Sequence, residues 1–279
     1  MIVDAHHHLW RDDQGYAWLD DPNLTPIRRT FSPTDLRAEL AANGVDRTIL
    51  VEGGRGDTGE ARLLLGYLAD APEIAGVVAW ADPASPTLLE TLAGYRALPG
   101  GDRLVGVRAQ IQGIDDPGYL DRDDVRLGLR AIGDAGLAFD LCIRADQIAA
   151  AARAARDLPS VRFVLDHLGK PAIRDGGLAS WSADLATLAG RPNVTAKLSG
   201  LATEASWKTW TADDLRPYIE EALRLFGAER LMFGSDWPVC LLATPYAEWV
   251  SVLTSILPAD AREMVFGGTA ERTYHLTRD

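Results

Sequence analysis

An eight-stranded parallel α/β barrel is the fold this sequence predicts. Three observations carry the prediction: eight short β-branched runs, amphipathic segments between them, and a length of 279 residues. Barrels of this type typically need about 250 residues. The runs read as strands are MIVDAH (1–6), RTILVE (47–52), AGVVAW (75–80), LVGVRA (104–109), LAFDLCI (137–143), VRFVLDH (161–167), NVTAKLS (193–199) and RLMFGSD (230–236). Between them lie helical patterns such as PTDLRAELAANG, EARLLLGYLAD and ADDLRPYIEEALRLFG. Strands alternating with helices imply βα units around a parallel sheet. The first helix carries explicit end signals. Ser32 is placed to cap it, Pro33 sits in its first turn, Asp35 completes a capping box, and Asn43-Gly44 ends it. Spacing is regular throughout, so one domain is expected over 1–279. An open doubly wound sheet is the alternative, but no Gly-rich phosphate turn follows the first strand.

Composition narrows the function. Apolar residues make up 47% of the chain, and 28 basic against 40 acidic residues give a net charge of −12. Such a chain is a poor binder of phosphate backbones and anionic membranes, so neither nucleic acid nor membrane is an expected partner. No apolar run approaches the ~20 residues of a membrane span. No signal peptide is read, and two cysteines, Cys142 and Cys240, predict no disulfide framework. A cytoplasmic setting is expected.

Two strand-to-helix connections are long and aromatic. One runs from Leu9 to about Phe31 with Trp10, Tyr16 and Trp18; the other carries Glu204, Trp207 and Trp210. Loops in these positions surround the mouth of a barrel, so they read either as a pocket wall or as aromatics packed on the rim.

Parallel strands buried on both faces should be almost wholly apolar. Here polar residues cluster at the strand ends. His6 and His8 are two apart on strand one and face the same way, whereas His7 faces away. Arg108 ends strand four, His167 strand six and Asp236 strand eight, and Lys197 lies near the end of strand seven. Each alone is unremarkable as a structural histidine, a cap or a solvated cation. Together they meet at one rim. Two histidines at i and i+2 with a distant His and Asp can hold one divalent ion, with zinc first and manganese next. Without metal, Asp236 can still take a proton from water while the histidines and a cation steady an oxyanion.

The segments DAHHHLW, GVRAQIQ, LDHLGKP, KLSGL and FGSDWPV, in this order, resemble the amidohydrolase superfamily, and within it the lactonase branch of the amidohydrolase 2 family. The resemblance covers nearly the whole chain. It implies a (β/α)8 barrel that hydrolyses a small lactone, a sugar-acid lactone such as fuconolactone or rhamnonolactone. A 2-pyrone-4,6-dicarboxylate-type lactonase, a metal-dependent decarboxylase of an aromatic acid, a cyclic amidase and a non-catalytic binder are the alternatives. By the resemblance, Asp236 is the base, and His6, His8 and His167 are metal ligands or carbonyl polarisers. Arg108 contacts substrate. Lys197, Trp10 and Trp237 are further substrate-binding candidates, and Arg28, Arg29 and Arg144 are possible anion selectors at the mouth. Arg108-Ala109-Gln110 stands where binuclear relatives carry a bridging lysine or glutamate, and DLCIRAD lacks their strand-five histidine. The expectation is therefore one metal or none. Glu52 is read as structural, and thiol chemistry at Cys142 or Cys240 is not expected.

Overall fold

A computed structural model describes residues 1–276. The strands are β1 (Val3–His7), β2 (Arg47–Val51), β3 (Ile74–Trp80), β4 (Leu104–Ala109), β5 (Ala138–Leu141), β6 (Arg162–Leu165), β7 (Val194–Leu198) and β8 (Leu231–Phe233). They pair in sequence order, every pair parallel. Helices α1 (Pro33–Asn43), α2 (Gly59–Tyr67), α3 (Leu88–Arg96), α4 (Asp123–Asp134), α5 (Ile148–Asp157) and α6 (Leu178–Ala189) follow the first six strands. After β7 come a short α7 (Leu201–Glu204) and α8 (Ala212–Phe226); after β8 come α9 (Tyr246–Ile256), α10 (Ala259–Glu263) and α11 (Thr269–Thr273). This is the (β/α)8 barrel. Ser32 and Asp35 form the capping box of α1, and Gly44 ends it at φ 64°, a left-handed conformation that glycine adopts without steric cost.

The sheet closes between β8 and β1 through a short seam. Asp236 N donates to His6 O at 2.8 Å, and His8 N donates to Trp237 O at 2.7 Å. Beside them the Asp4 carboxylate accepts from Ser235 N, Ser235 Oγ and Tyr246 Oη at 2.8, 2.6 and 2.9 Å. Burial pushes the Asp4 carboxyl up to about 6 despite these donors. The seam is thus held by backbone pairing and by one fully buried carboxylate.

Two expected strand ends differ. His167 and Asp236 do not lie on strands, because β6 stops at Leu165 and β8 at Phe233. His167, Leu168, Gly169 and Lys170 all have positive φ, between 51° and 71°. This left-handed turn swings His167 and Lys170 toward the barrel axis. Asp236 also has positive φ, at 57°. Such conformations cost roughly 1 kcal/mol or more for side chains other than glycine, and they concentrate at functional sites.

The long loop after β1 packs its own aromatics. Trp10, Phe31 and Trp237 form edge-on ring contacts at 5.5 and 5.2 Å. Trp10 Nε1 donates to Arg29 O, and Tyr16 Oη donates to Glu60 Oε1. Trp18 alone of these reaches the cavity described next.

Candidate active site

A cavity of about 400 Å³ opens at the C-terminal ends of the strands. It is lined by His8, Trp18, Gly53, Gly54, Arg108, Gln110, Gln112, Gly113, Cys142, His167, Lys170, Asp236 and Val239. His6 lies just behind it, fully buried. His6 Nε2 is 3.2 Å from His8 Nε2 and 3.7 Å from Asp236 Oδ1. Asp236 Oδ1 is 3.4 Å from His8 Nε2 and 3.9 Å from His167 Nε2. Donor atoms of His6, His167 and Asp236 all fall within 4.8 Å of one another. The structure therefore gathers the four residues expected as base and metal ligands or carbonyl polarisers. His7 points away and pairs with Thr48 Oγ1 at 2.9 Å.

Two glycines allow this crowding. A Cβ on Gly200 would stand 2.6 Å from His167 Nδ1, and one on Gly234 would stand 2.7 Å from His6 Cβ. Both lie below any normal contact.

The site rests on a buried layer of charge. Arg108 Nε donates to Glu52 Oε1 at 2.5 Å, Arg108 Nη2 to Glu52 O at 2.5 Å and Arg108 Nη1 to Asp166 Oδ2 at 2.9 Å. Lys197 Nζ donates to Asp140 Oδ2 at 2.5 Å and lies 2.9 Å from Asp166 Oδ1. Tyr274 Oη also donates to Asp140. His6 Nδ1 is 3.2 Å from both Asp166 Oδ1 and Lys197 Nζ. Burial favours the neutral form of Asp140 and raises it to about 6 even beside Lys197. It works the same way on Asp166, but Lys197, His6 and Arg108 outweigh it and hold that carboxyl well below its usual range. Burial lowers His6, and pushes His167 down to about 4. It opposes ionisation of Asp236 too, but the surrounding histidines keep that carboxylate charged.

The donor set fits one divalent cation on three counts. His8 Nδ1 donates to Val51 O at 2.9 Å, so Nε2 offers a lone pair to the site. Asp166 can accept the Nδ1 proton that His6 must carry when it ligates through Nε2. Donor atoms of His6, His167 and Asp236 gather within 4.8 Å of one another, and His8 Nε2 lies 3.2 and 3.4 Å from His6 Nε2 and Asp236 Oδ1, near enough to share one ion. Charge agrees. The two buried cations, Arg108 and Lys197, are committed to Glu52, Asp140 and Asp166, and neither is paired with Asp236.

Several expected substrate contacts lie elsewhere. Lys197 is fully buried and spent on Asp140 and Asp166, so it is a structural cation and does not reach the cavity. Trp10 and Trp237 are buried in the aromatic cluster and do not line the cavity, because their rings pack on Phe31. Arg28 and Arg144 pair with Asp20 and Asp146, and Arg29 stacks on Phe31; none of the three lines the cavity. Glu204, Trp207 and Trp210 stand outside the lining as well. Sequence reading passed over Asp140, Asp166, Gln110, Gln112 and Lys170. A charged Asp140 inside an apolar strand was a usable signal, since Lys197 repeats the oddity two strands away. Cys142 does line the cavity, but burial pushes its thiol up to about 11 and keeps it un-ionised.

The amidohydrolase family model matches residues 3–276, and the chain belongs to that family. It is 37% identical to an L-fucono-1,5-lactonase of Burkholderia multivorans, over 99% of this chain and 96% of that one. A crystal structure of an amidohydrolase from Burkholderia multivorans with bound zinc superposes with a TM-score of 0.92 at 34% identity, covering 99% of this chain and all of that one. A Pseudomonas putida structure named "putative 2-pyrone-4,6-dicarboxylic acid hydrolase" superposes with a TM-score of 0.82 at 25% identity, covering all of this chain and 98% of that one. Among the described residues no helix is long and apolar enough to cross a membrane.

Two predictions follow from the buried charges. Lys197→Met should cost about 3–5 kcal/mol in urea unfolding, because it leaves Asp140 buried without its cation and Asp166 with Arg108 alone; a loss under about 1 kcal/mol would refute the structural role. Glu60 is raised from 4.5 to about 7, by burial first and Glu52 second, against donors Gly53 N and Tyr16 Oη. The fold therefore holds a proton between those values that the unfolded chain has lost, and stability should fall as pH rises from 4.5 to about 7 and level off above it. Glu60→Gln should flatten that slope, as read from melting temperature between about pH 5 and pH 8.

Proposed function

We propose that this chain is a lactone hydrolase acting on a sugar-acid lactone of the L-fucono-1,5-lactone kind. The observation that carries the reading is the convergence of His6, His8, His167 and Asp236 beside one cavity, in a chain 37% identical to a lactonase along its length.

The chemistry divides among named residues. The lactone carbonyl enters beside His8 and His167, and the one N–H bond of Arg108 not directed at Glu52, Asp166 or His6 can meet its oxygen. Asp236 takes a proton from the attacking water. As the ring C–O bond breaks, Asp236 returns that proton to the departing alkoxide, leaving a hydroxy acid. A divalent ion in the site, zinc by its nitrogen and carboxylate donors, would supply Lewis acidity to that water when bound. Asp166 and Ser199 orient His6 and His167 through their Nδ1 atoms, at 3.2 and 2.9 Å.

Charge favours a neutral lactone over a dicarboxylate. Of the lining cations, Arg108 is already matched by Glu52 and Asp166, which leaves Lys170, while Asp236 repels an anion.

Proton release should be followed across L-fucono-1,5-lactone, L-rhamnono-γ-lactone and 2-pyrone-4,6-dicarboxylate, with carbon dioxide release from aromatic acids as the contrast. Turnover of a sugar lactone is expected, and Asp236→Asn should lower it by about 10²–10⁴-fold with the fold intact. Near-normal rates in a folded Asp236→Asn variant, or carbon dioxide release alone, would overturn the reading.

A further inference from the structure

Beyond the reacting centre, one wall of the cavity is a chain of side-chain amides whose direction is forced. It begins at Glu52, where Oε1 accepts from Arg108 Nε at 2.5 Å and from Gln110 Nε2 at 2.6 Å. A carboxylate can only accept, so Gln110 must turn its NH2 toward Glu52. Its carbonyl oxygen then faces outward, and it accepts from Gln112 Nε2 at 2.9 Å and from Cys142 Sγ at 3.4 Å. That second bond fixes Gln112 in turn. Its amide nitrogen is committed inward, and Gln112 Oε1 is the free end, with no protein donor among the described residues. The backbone is held as well: Gln112 N donates to Cys142 O at 2.9 Å, and Arg144 Nη1 donates to Gln112 O. Both glutamines are half-buried and line the cavity that holds Asp236.

We propose that the Glu52–Gln110–Gln112 ladder is the hydroxyl-reading edge of the substrate pocket, and that Gln112 Oε1 accepts a hydrogen bond from a hydroxyl of a polyhydroxylated acid or its lactone. The proposal rests on the lactonase reading and adds to it a basis for choice of substrate. An oriented acceptor rewards a hydroxyl, gains nothing from a methylene, and meets a second carboxylate acceptor to acceptor. Because Glu52 sets the direction of both amides, neither can flip to serve a different partner without breaking a bond behind it.

The test is calorimetric binding of two product-like acids, L-fuconate and 5-hydroxypentanoate, to the wild type, Gln112→Met and Gln110→Met. These acids share a chain-terminal carboxylate and a C5 hydroxyl, and 5-hydroxypentanoate lacks the three hydroxyls at C2–C4 and the terminal methyl group. The expected result is a fall of about 3–10-fold in L-fuconate affinity for Gln112→Met, the range of one neutral hydrogen bond, with 5-hydroxypentanoate unchanged. Gln110→Met keeps Gln112 but frees it to flip, and should show a loss confined to L-fuconate as well. Equal losses for both acids, no loss in either variant, a loss in Gln112→Met without one in Gln110→Met, or no L-fuconate binding by the wild type would each overturn the proposal. Lactone turnover is read separately by proton release. A chain that shows the selective binding loss yet opens no lactone would refute the hydrolase reading and leave the ladder standing.

Discussion

Closure of the barrel between its first and last strands is the constraint on which the site depends. β8 is three residues long, and beyond it the chain is held to β1 by two backbone hydrogen bonds, Asp236 N to His6 O and His8 N to Trp237 O. Those bonds bind the functional residues themselves. Closing the barrel and bringing Asp236 within 3.4–3.7 Å of two imidazoles are therefore one event. Asp4 reinforces it with donors from Ser235, Tyr246 and the His6 amide. The positive φ of Asp236 and the absence of a side chain at Gly234 are the local costs of fitting this junction into so little space.

Beneath the seam, paired charges do what apolar packing could not. Arg108 and Lys197 are committed to carboxylates before any ligand arrives. Buried ion pairs of this kind add little net stability, but they are costly to break, so they fix geometry. Asp166 connects the two cations to His6, and the orientation of that ring follows from three strands at once. The donor atoms that converge above this layer are nitrogen and carboxylate oxygen. That ligand chemistry suits one divalent cation.

The strands were legible because their short apolar runs alternate with amphipathic helical segments, and a few polar residues stood out at their ends. His6, His8, His167 and Asp236 could be named for that reason. What could not be read was pairing across the barrel. Lys197 looks like a rim cation in one dimension, yet Asp140, two strands away, and Asp166, one strand away, claim it. Trp10 and Trp237 look like stacking platforms until the loop folds back and Phe31 lies between them. Lys170 and the glutamine ladder depend on a left-handed turn and on amide directions, neither of which leaves a periodic trace in the sequence.

Calorimetric titration of metal-free protein with zinc, beside the Asp236→Ala variant, tests most directly the claim that the seam builds a site for one divalent cation. The account predicts saturation at one ion per chain, with affinity sharply weakened in the variant. Saturation at two ions per chain, no binding, or equal affinity in both proteins would contradict it.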